Sequence, residues 1–127
     1  MTFFFHNHIK SDVLFYFDNA PIYYSDLIKF ETNFTFCSIE YIHFSRSVES
    51  MLKILVCLKQ GHPFFIVDSN WPKHYQQTFQ SNIDDLNPRL LDHSFLIATS
   101  GSTGSSKLCL HSIESLLISA KRSLMLC

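Results

Sequence analysis

The residues best suited to chemistry in this chain lie in one stretch, which reads Ala98-Thr99-Ser100-Gly101-Ser102-Thr103-Gly104-Ser105-Ser106-Lys107. Glycine lets the backbone approach a ligand closely, so successive N–H groups can point at one anion. Ser and Thr hydroxyls add donors that rotate to suit oxygen acceptors, and the lysine adds a mobile positive charge. The pattern indicates a loop that binds phosphate groups. Its candidate binding residues are Thr99, Ser100, Gly101, Ser102, Thr103, Gly104 and Lys107.

A plain connecting loop has a similar composition, so the context of the stretch matters. It follows the apolar run 95–98, which predicts a buried strand. The loop should then lie at a strand's carboxyl end, where open α/β sheets bind ligands. The usual nucleotide loop, Gly-x-x-x-x-Gly-Lys-[Ser/Thr], would need glycine at Ser106 and a hydroxyl at Leu108. The dinucleotide pattern Gly-x-Gly-x-x-Gly is also absent, so a kinase or dehydrogenase is disfavoured.

The stretch instead resembles the signature of the adenylate-forming (AMP-binding) superfamily of acyl-CoA synthetases, luciferases and peptide-synthetase adenylation domains. That signature is [Ser/Thr]-Ser-Gly-[Ser/Thr]-[Ser/Thr]-Gly-x-Pro-Lys, followed by His and a hydroxyl residue. Residues 99–104 match in order, and Lys107, His111 and Ser112 also match. Ser106 stands where the family has proline. That departure should loosen the loop by about 0.4–1 kcal/mol through chain entropy.

Three shorter segments support the same resemblance. Lys59 and Gly61 are similar to the family's Lys-x-Gly helix end, and Asp68 and Pro72 to its [Asp/Asn]-x-x-x-Pro turn. The segment 24–27, Tyr-Ser-Asp-Leu, resembles an early helix start of the family. The likeness covers most of the chain from about residue 21. The short spacing between the blocks is most similar to the o-succinylbenzoate–CoA ligase branch of menaquinone biosynthesis.

The resemblance implies a two-step ligase reaction. A small-molecule carboxylate attacks the α-phosphate of ATP to give an acyl-adenylate, and the thiol of CoA then displaces AMP. The loop would hold the β- and γ-phosphates, and His111 would line the acyl pocket. A packed or surface histidine is the open alternative for His111.

We assign no catalytic residue and no metal ligand in this chain. The family's adenine and ribose motifs, its ligands for Mg²⁺ and its C-terminal catalytic lysine have no counterpart in the 127 residues. We therefore expect residues 1–127 to form an incomplete N-terminal AMP-binding ligase domain that is inactive alone. A downstream polypeptide would complete the enzyme. The alternative is a non-enzymatic remnant or a phosphate-binding regulatory module.

Alternating helices and buried strands predict an α/β domain with a largely parallel sheet flanked by helices. The predicted strands are residues 3–5, 13–17, 64–67, 95–98 and 108–110. A turn is predicted over 18–21, and a helix over 26–35 with Ser25 as its N-cap. A second helix should run from the cap Ser47 to Gly61, a third should open at Pro72, and a fourth should cover 113–125.

The composition of the chain limits the classes of binding partner that we expect. The net charge is −1 and no basic stripe is visible, which disfavours nucleic acid. No apolar run approaches the roughly 18 residues that cross a bilayer, and the Phe-rich start lacks signal-peptide features. We expect no membrane association and a cytoplasmic protein. The spacing of Cys37, Cys57, Cys109 and Cys127 suggests buried, reduced thiols rather than a metal site.

Overall fold

The computed structural model describes residues 10–68, 70–86, 91–100 and 106–126, and it has a mixed α/β fold. β1 and β2 form a hairpin, and the other strands form one sheet in the order β3-β4-β5-β6. The elements in chain order are β1 (Val13–Phe17), β2 (Ala20–Tyr23), α1 (Tyr24–Thr32), β3 (Glu40–Phe44), α2 (Val48–Gln60), β4 (Phe64–Asp68), α3 (Lys73–Asp84), β5 (Ser94–Ser100), β6 (Ser106–Ser112) and α4 (Ile113–Leu126).

The sheet is mostly parallel, as the sequence predicted. β4 pairs in parallel with β3 on one side and with β5 on the other, where Phe64 lies opposite Phe95. β6 runs antiparallel to β5. Only residues 101–105 separate these two strands, and a parallel connection needs a dozen or more residues. The short connection therefore dictates the direction of β6.

β4 is buried on both faces, as its continuous apolar run predicted. Phe64 and Phe65 are each 1% exposed and point to opposite sides of the sheet because side chains alternate along a strand. Phe64 belongs to a core cluster that includes residues of α2, and Phe65 to one that includes residues of α3. We call these two sides the α2 face and the α3 face. The two clusters make β4 the centre of the fold.

α2 begins and ends where the sequence predicted. The hydroxyl of Ser47 accepts a hydrogen bond from the backbone N–H of Ser50 at 3.2 Å. Gly61 adopts φ 66°, a left-handed conformation that glycine takes without a Cβ clash. This turn lets the His62 N–H donate to the Cys57 carbonyl at 2.9 Å, which satisfies an acceptor at the helix end.

The N-terminal hairpin and α1 differ from the prediction in their boundaries. The turn comprises only Asp18 and Asn19, both at positive φ, because a two-residue turn suits the twist of a hairpin. The residues predicted to continue the turn instead open β2. α1 starts at Tyr24 and ends at Thr32 rather than covering 26–35.

Ser25 was predicted to cap α1, and that prediction was wrong. The N-cap position is Tyr23, so Ser25 lies inside the helix, and its backbone N–H donates to the Lys10 carbonyl at 3.1 Å. Asp26 accepts from the backbone N–H of Tyr23 at 2.8 Å. At the other end, the Asn33 amide donates to the Lys29 carbonyl at 3.0 Å. Side chains and the preceding segment thus satisfy both helix ends.

An ion pair joins α1 to α2 on the α2 face. Lys59 Nζ lies 2.8 Å from Glu31 Oε1 and 5.4 Å from the Tyr24 ring centre, and both charged side chains are largely buried. Burial alone would lower the pKa of Lys59, but hydrogen bonds to Glu31 and Tyr24 outweigh it and raise the pKa. Gln60 donates to the second oxygen of Glu31. The carboxylate therefore has partners at both oxygens.

Of the remaining secondary-structure predictions, some are confirmed and others are not. The helix after Pro72 and the C-terminal helix are present, whereas β2 and β3 were missed. The predicted strand at residues 3–5 lies outside the described residues.

Cys57 is fully buried, and burial raises the pKa of its thiol to about 12, with a smaller contribution from Glu40. Cys37 was expected to be buried but is exposed in the loop before β3. Cys109 is half-buried, and Cys127 lies outside the described part of the chain.

The left-handed turn after α2 yields a stability prediction. Gly61→Ala should destabilise the fold by about 1–2 kcal/mol because any Cβ crowds the backbone at this φ. Ser119→Ala, at an exposed position within α4, is the control and should be neutral or slightly stabilising. Urea unfolding followed by circular dichroism measures both. Equal stability of the Gly61 variant and the wild type would contradict the assigned helix end.

Candidate functional site

The two ends of the predicted phosphate loop are paired across the β5–β6 ladder. Thr99 lies opposite Lys107, and Ser100 lies opposite Ser106. Both strands therefore extend further than their apolar runs predicted, because antiparallel pairing provides partners for the backbone of polar residues. Thr99, Ser100 and Lys107 thus belong to strands. Gly101, Ser102, Thr103 and Gly104 lie outside the described residues.

β5 ends at the edge of the sheet where the parallel strands have their carboxyl ends, as the sequence predicted. β3, β4 and β5 are parallel, so Phe44, Asp68 and Ser100 all end strands at the same edge. We call this the carboxyl edge. In open α/β sheets, ligands bind outside this edge. The residues between Ser100 and Ser106 therefore connect β5 and β6 at an edge suited to ligands.

A cleft of about 420 Å³ lies at the carboxyl edge. Three strands and the turn after β4 supply its apolar residues, of which Phe44 is 45% exposed and Ile97 is 37% exposed. Its volume falls within the roughly 300–1,000 Å³ that is typical of small-molecule pockets. The cleft is lined by Phe44, Ser45, Arg46, Ile66, Asp68, Asn70, Trp71, Ile97 and Ala98.

One rim of this carboxyl-edge cleft is tied to the N-terminal hairpin. Arg46 Nη2 donates to Asp18 Oδ1 at 2.7 Å, and the guanidinium lies 5.2 Å from the centre of the Phe17 ring. The pair is well exposed, so its charge interaction is worth at most about 1 kcal/mol. The contact therefore orients the rim more than it stabilises the fold.

The opposite rim is the turn after β4. Asp68 Oδ1 accepts from the backbone N–H of Asn70 at 2.9 Å, and the Asp68 carbonyl accepts from that of Trp71 at 3.1 Å. The Trp71 ring packs 5.3 Å from that of Phe79 in α3. The resemblance had drawn attention to Asp68 and Pro72, and these contacts show that Asp68 orders the turn.

His111 lies away from the cleft. It is opposite Phe95 in the ladder, and its exposed imidazole stacks on that ring with centroids 5.3 Å apart. It lies four positions along β6 from Lys107, which corresponds to roughly 13 Å. His111 does not line the carboxyl-edge cleft. Its described contacts are those of a surface histidine packed on an aromatic ring.

Sequence reasoning missed several residues of the cleft. Phe44 ends a strand that was not predicted, and Arg46 directly precedes the recognised cap Ser47. Ile97 was read only as part of a buried run.

In the described part of the chain, no three His, Cys, Asp or Glu side chains are grouped to hold a metal ion. Nor does any described helix have the length and apolar character needed to cross a bilayer.

Comparisons with known proteins gave no match to a protein-family model, to a curated protein or to a solved structure.

The register at the loop ends can be tested with introduced cysteines. Residues directly opposite each other in an antiparallel pair have Cβ atoms about 4.5–5.5 Å apart, close to disulfide geometry. Thr99→Cys with Lys107→Cys, or Ser100→Cys with Ser106→Cys, should therefore form a cross-link on mild oxidation. Mass spectrometry of proteolytic peptides identifies it among the native cysteines.

The matched control pairs two positions on opposite faces of the sheet. Thr99→Cys with Ser106→Cys should not cross-link, because Ser106 lies opposite Ser100 and the two cysteines would point apart. A cross-link in this control, together with none in either opposed pair, would contradict the register.

Proposed function

We propose that this chain is part of an ATP-dependent acyl-adenylate-forming ligase, to which it contributes the loop that holds the phosphates of ATP. The observation that carries the proposal is the motif from Thr99 through Lys107 to His111-Ser112, which fits the family signature at every fixed position except Ser106. Its position after a parallel strand supports the proposal, because that edge of an α/β sheet suits ligands.

The donors in the motif fit a polyphosphate. Backbone N–H groups around Gly101 and Gly104 and the neighbouring hydroxyls would donate to oxygens of the β- and γ-phosphates. Lys107 would add one positive charge near the leaving pyrophosphate. Fixed donors aimed at developing negative charge are usually the largest contribution to catalysis, and one such donor is worth about 2.7–4 kcal/mol. No described residue is assigned to Mg²⁺.

The reaction would proceed in two displacements. A carboxylate oxygen of the substrate attacks the α-phosphorus of ATP, the bond to the β-phosphate breaks, and pyrophosphate leaves. The sulfur of CoA then attacks the acyl carbon and AMP leaves. The apolar residues of the carboxyl-edge cleft lie near the loop ends and would contact an apolar part of a ligand. Geometry gives His111 no direct contact with that cleft.

The chain alone is proposed to be inactive, with a further polypeptide completing the ligase. Several large apolar residues are exposed on the strands and on α4. They include Phe44, Ile97, Leu110, Leu116 and Ile118. A completing polypeptide that covers some of them would also bring the adenosine, carboxylate and Mg²⁺ contacts, for which we propose no described residue.

Lys107→Ala tests the proposed role of the loop. Loss of one charge-assisted contact should weaken binding of pyrophosphate about 10- to 100-fold, corresponding to roughly 1.5–3 kcal/mol. Isothermal titration calorimetry measures the affinity. Lys29→Ala, which removes the same charge from an exposed position on α1, is the matched control and should bind pyrophosphate as the wild type does.

Carboxylate-dependent exchange of pyrophosphate with ATP tests the ligase itself. The chain alone should show none, because it does not position the carboxylate and adenosine. Activity should appear when a completing polypeptide is added. Robust exchange by the chain alone would contradict the incomplete domain. Pyrophosphate binding without exchange in any combination would favour a phosphate-binding regulatory module, and no binding at all would contradict both.

A further inference from the structure

β6 is the last strand of the sheet in the described part of the chain. It pairs with β5 along its whole length, and no described strand lies on its other side. An edge strand of this kind presents backbone N–H and C=O groups with which another strand can pair. Natural sheets usually protect such an edge with charged residues, proline or a bulge. The residues along β6 therefore show whether this edge is protected.

The middle of β6 is uncharged and contains no proline. Its three central residues are Leu108, Cys109 and Leu110, and its pairing with β5 keeps one register over the whole strand. The two leucines lie opposite Ala98 and Leu96, so both are on the α3 face. Leu110 is 45% exposed, although Leu96 directly across the ladder is fully buried. The centre of the strand therefore lacks the usual protection of an edge.

The strand at the opposite edge of the sheet differs from β6. β3 includes Glu40 and His43, and the Glu40 carboxylate accepts from the backbone N–H of Cys37. Antiparallel pairing of two copies of β3 about its middle residue, Ile42, would place Glu40 opposite Phe44 of the second copy. The carboxylate would lose contact with water there without gaining a partner. β3 is therefore unsuited to pairing with itself.

The sequence of β6, by contrast, is similar in both directions. It reads Ser-Lys-Leu-Cys-Leu-His-Ser, with Cys109 at its midpoint. If a two-fold axis through Cys109 related two antiparallel copies, serine would lie opposite serine and leucine opposite leucine. This register pairs every residue of both strands, because any other two-fold centre leaves an end of each strand without an opposite residue. β6 is therefore complementary to a second copy of itself.

We propose that two copies of this chain pair through β6 to form a symmetric dimer, which joins the two four-stranded sheets into one. Leu108 of each copy packs on Leu110 of the other and forms one apolar strip on the α3 face. Lys107 lies opposite His111 of the second copy, so the two lysines do not oppose each other. A two-fold contact uses the same surface on both copies and closes at the dimer.

The dimer keeps the two proposed phosphate loops apart. The connection between β5 and β6 ends at Ser106, which lies opposite Ser112 of the second copy. The two loop ends are then six strand positions apart, or roughly 20 Å. Dimer formation therefore does not depend on phosphate binding, and either proposal can fail without the other.

Sedimentation velocity at increasing chain concentration tests the dimer. One strand pair is a small interface, so we expect a weak dimer whose fraction rises with concentration. Leu110→Lys should weaken it at least about tenfold, because each copy loses an apolar contact and places a charge in the strip. Ile118→Lys is the matched control, since Ile118 lies on α4 and is 44% exposed. Its dimer should be as strong as that of the wild type.

Introduced cysteines test the register. With Cys109→Ser in every chain, a Leu108→Cys chain mixed with a Leu110→Cys chain should form a disulfide between these positions on mild oxidation, because they lie directly opposite each other. Either chain alone should cross-link less at the introduced cysteine, because identical positions lie diagonally across the pair. Mass spectrometry of proteolytic peptides identifies each link.

A wild-type chain that stays monomeric at every accessible concentration would overturn the proposal, whatever else then covers β6. Open association beyond the dimer, or an equal loss in the Leu110 and Ile118 variants, would do the same. So would stronger cross-linking between identical positions than between the mixed ones. Melting curves establish that each variant is folded.

Discussion

The burial of β4 on both faces is the constraint on which the rest of this structure depends. Phe64 and Phe65 are adjacent, point to opposite sides and are both nearly inaccessible to water. Each ring can be buried only if a helix layer covers its side of the sheet. α2 provides one layer and α3 the other, so the strands before and after β4 must lie beside it in parallel.

This arrangement also decides where ligands can approach. Three parallel strands give the sheet two chemically different edges. At the carboxyl edge, β5 leads into the Ser/Thr/Gly motif beside a cleft with exposed apolar residues. At the amino edge, the entry segments and the end of α3 surround a cavity lined by carboxylates and core residues. The two edges therefore differ in the residues that they offer to a ligand.

The parts of the fold that the sequence predicted well are those set by local physics. A continuous apolar run identified β4 as buried, and Ser47 and Gly61 marked the ends of α2 through hydrogen bonding and a left-handed turn. The misses have physical causes too. β2 contains Pro21 and β3 mixes Glu40 and His43 with its apolar residues, so neither has the pattern of a buried strand. Both form because a neighbouring strand supplies their backbone partners.

The site was predictable only in part for a related reason. The phosphate motif is contiguous in sequence, so its residue types and spacing could be recognised directly. Both cavities are assembled from segments that are distant in sequence, such as Phe44 with Ile97 or Ser38 with Asp92. Their existence depends on strand order and register, which local patterns do not determine. Likewise, it becomes evident only after the core has packed that His62 Nε2 has no hydrogen-bond partner among the described residues.

The most direct measurement of the central claim is a titration of the ¹⁵N-labelled chain with ATP, followed amide by amide. If the motif at the carboxyl edge is a phosphate-binding loop, the largest shift changes should fall at Ser100, Lys107 and the residues between them. The neighbouring end of β4 should show smaller changes, and the amino edge should stay unchanged. Changes centred on the amino edge, or none at any accessible concentration of ATP, would contradict the account.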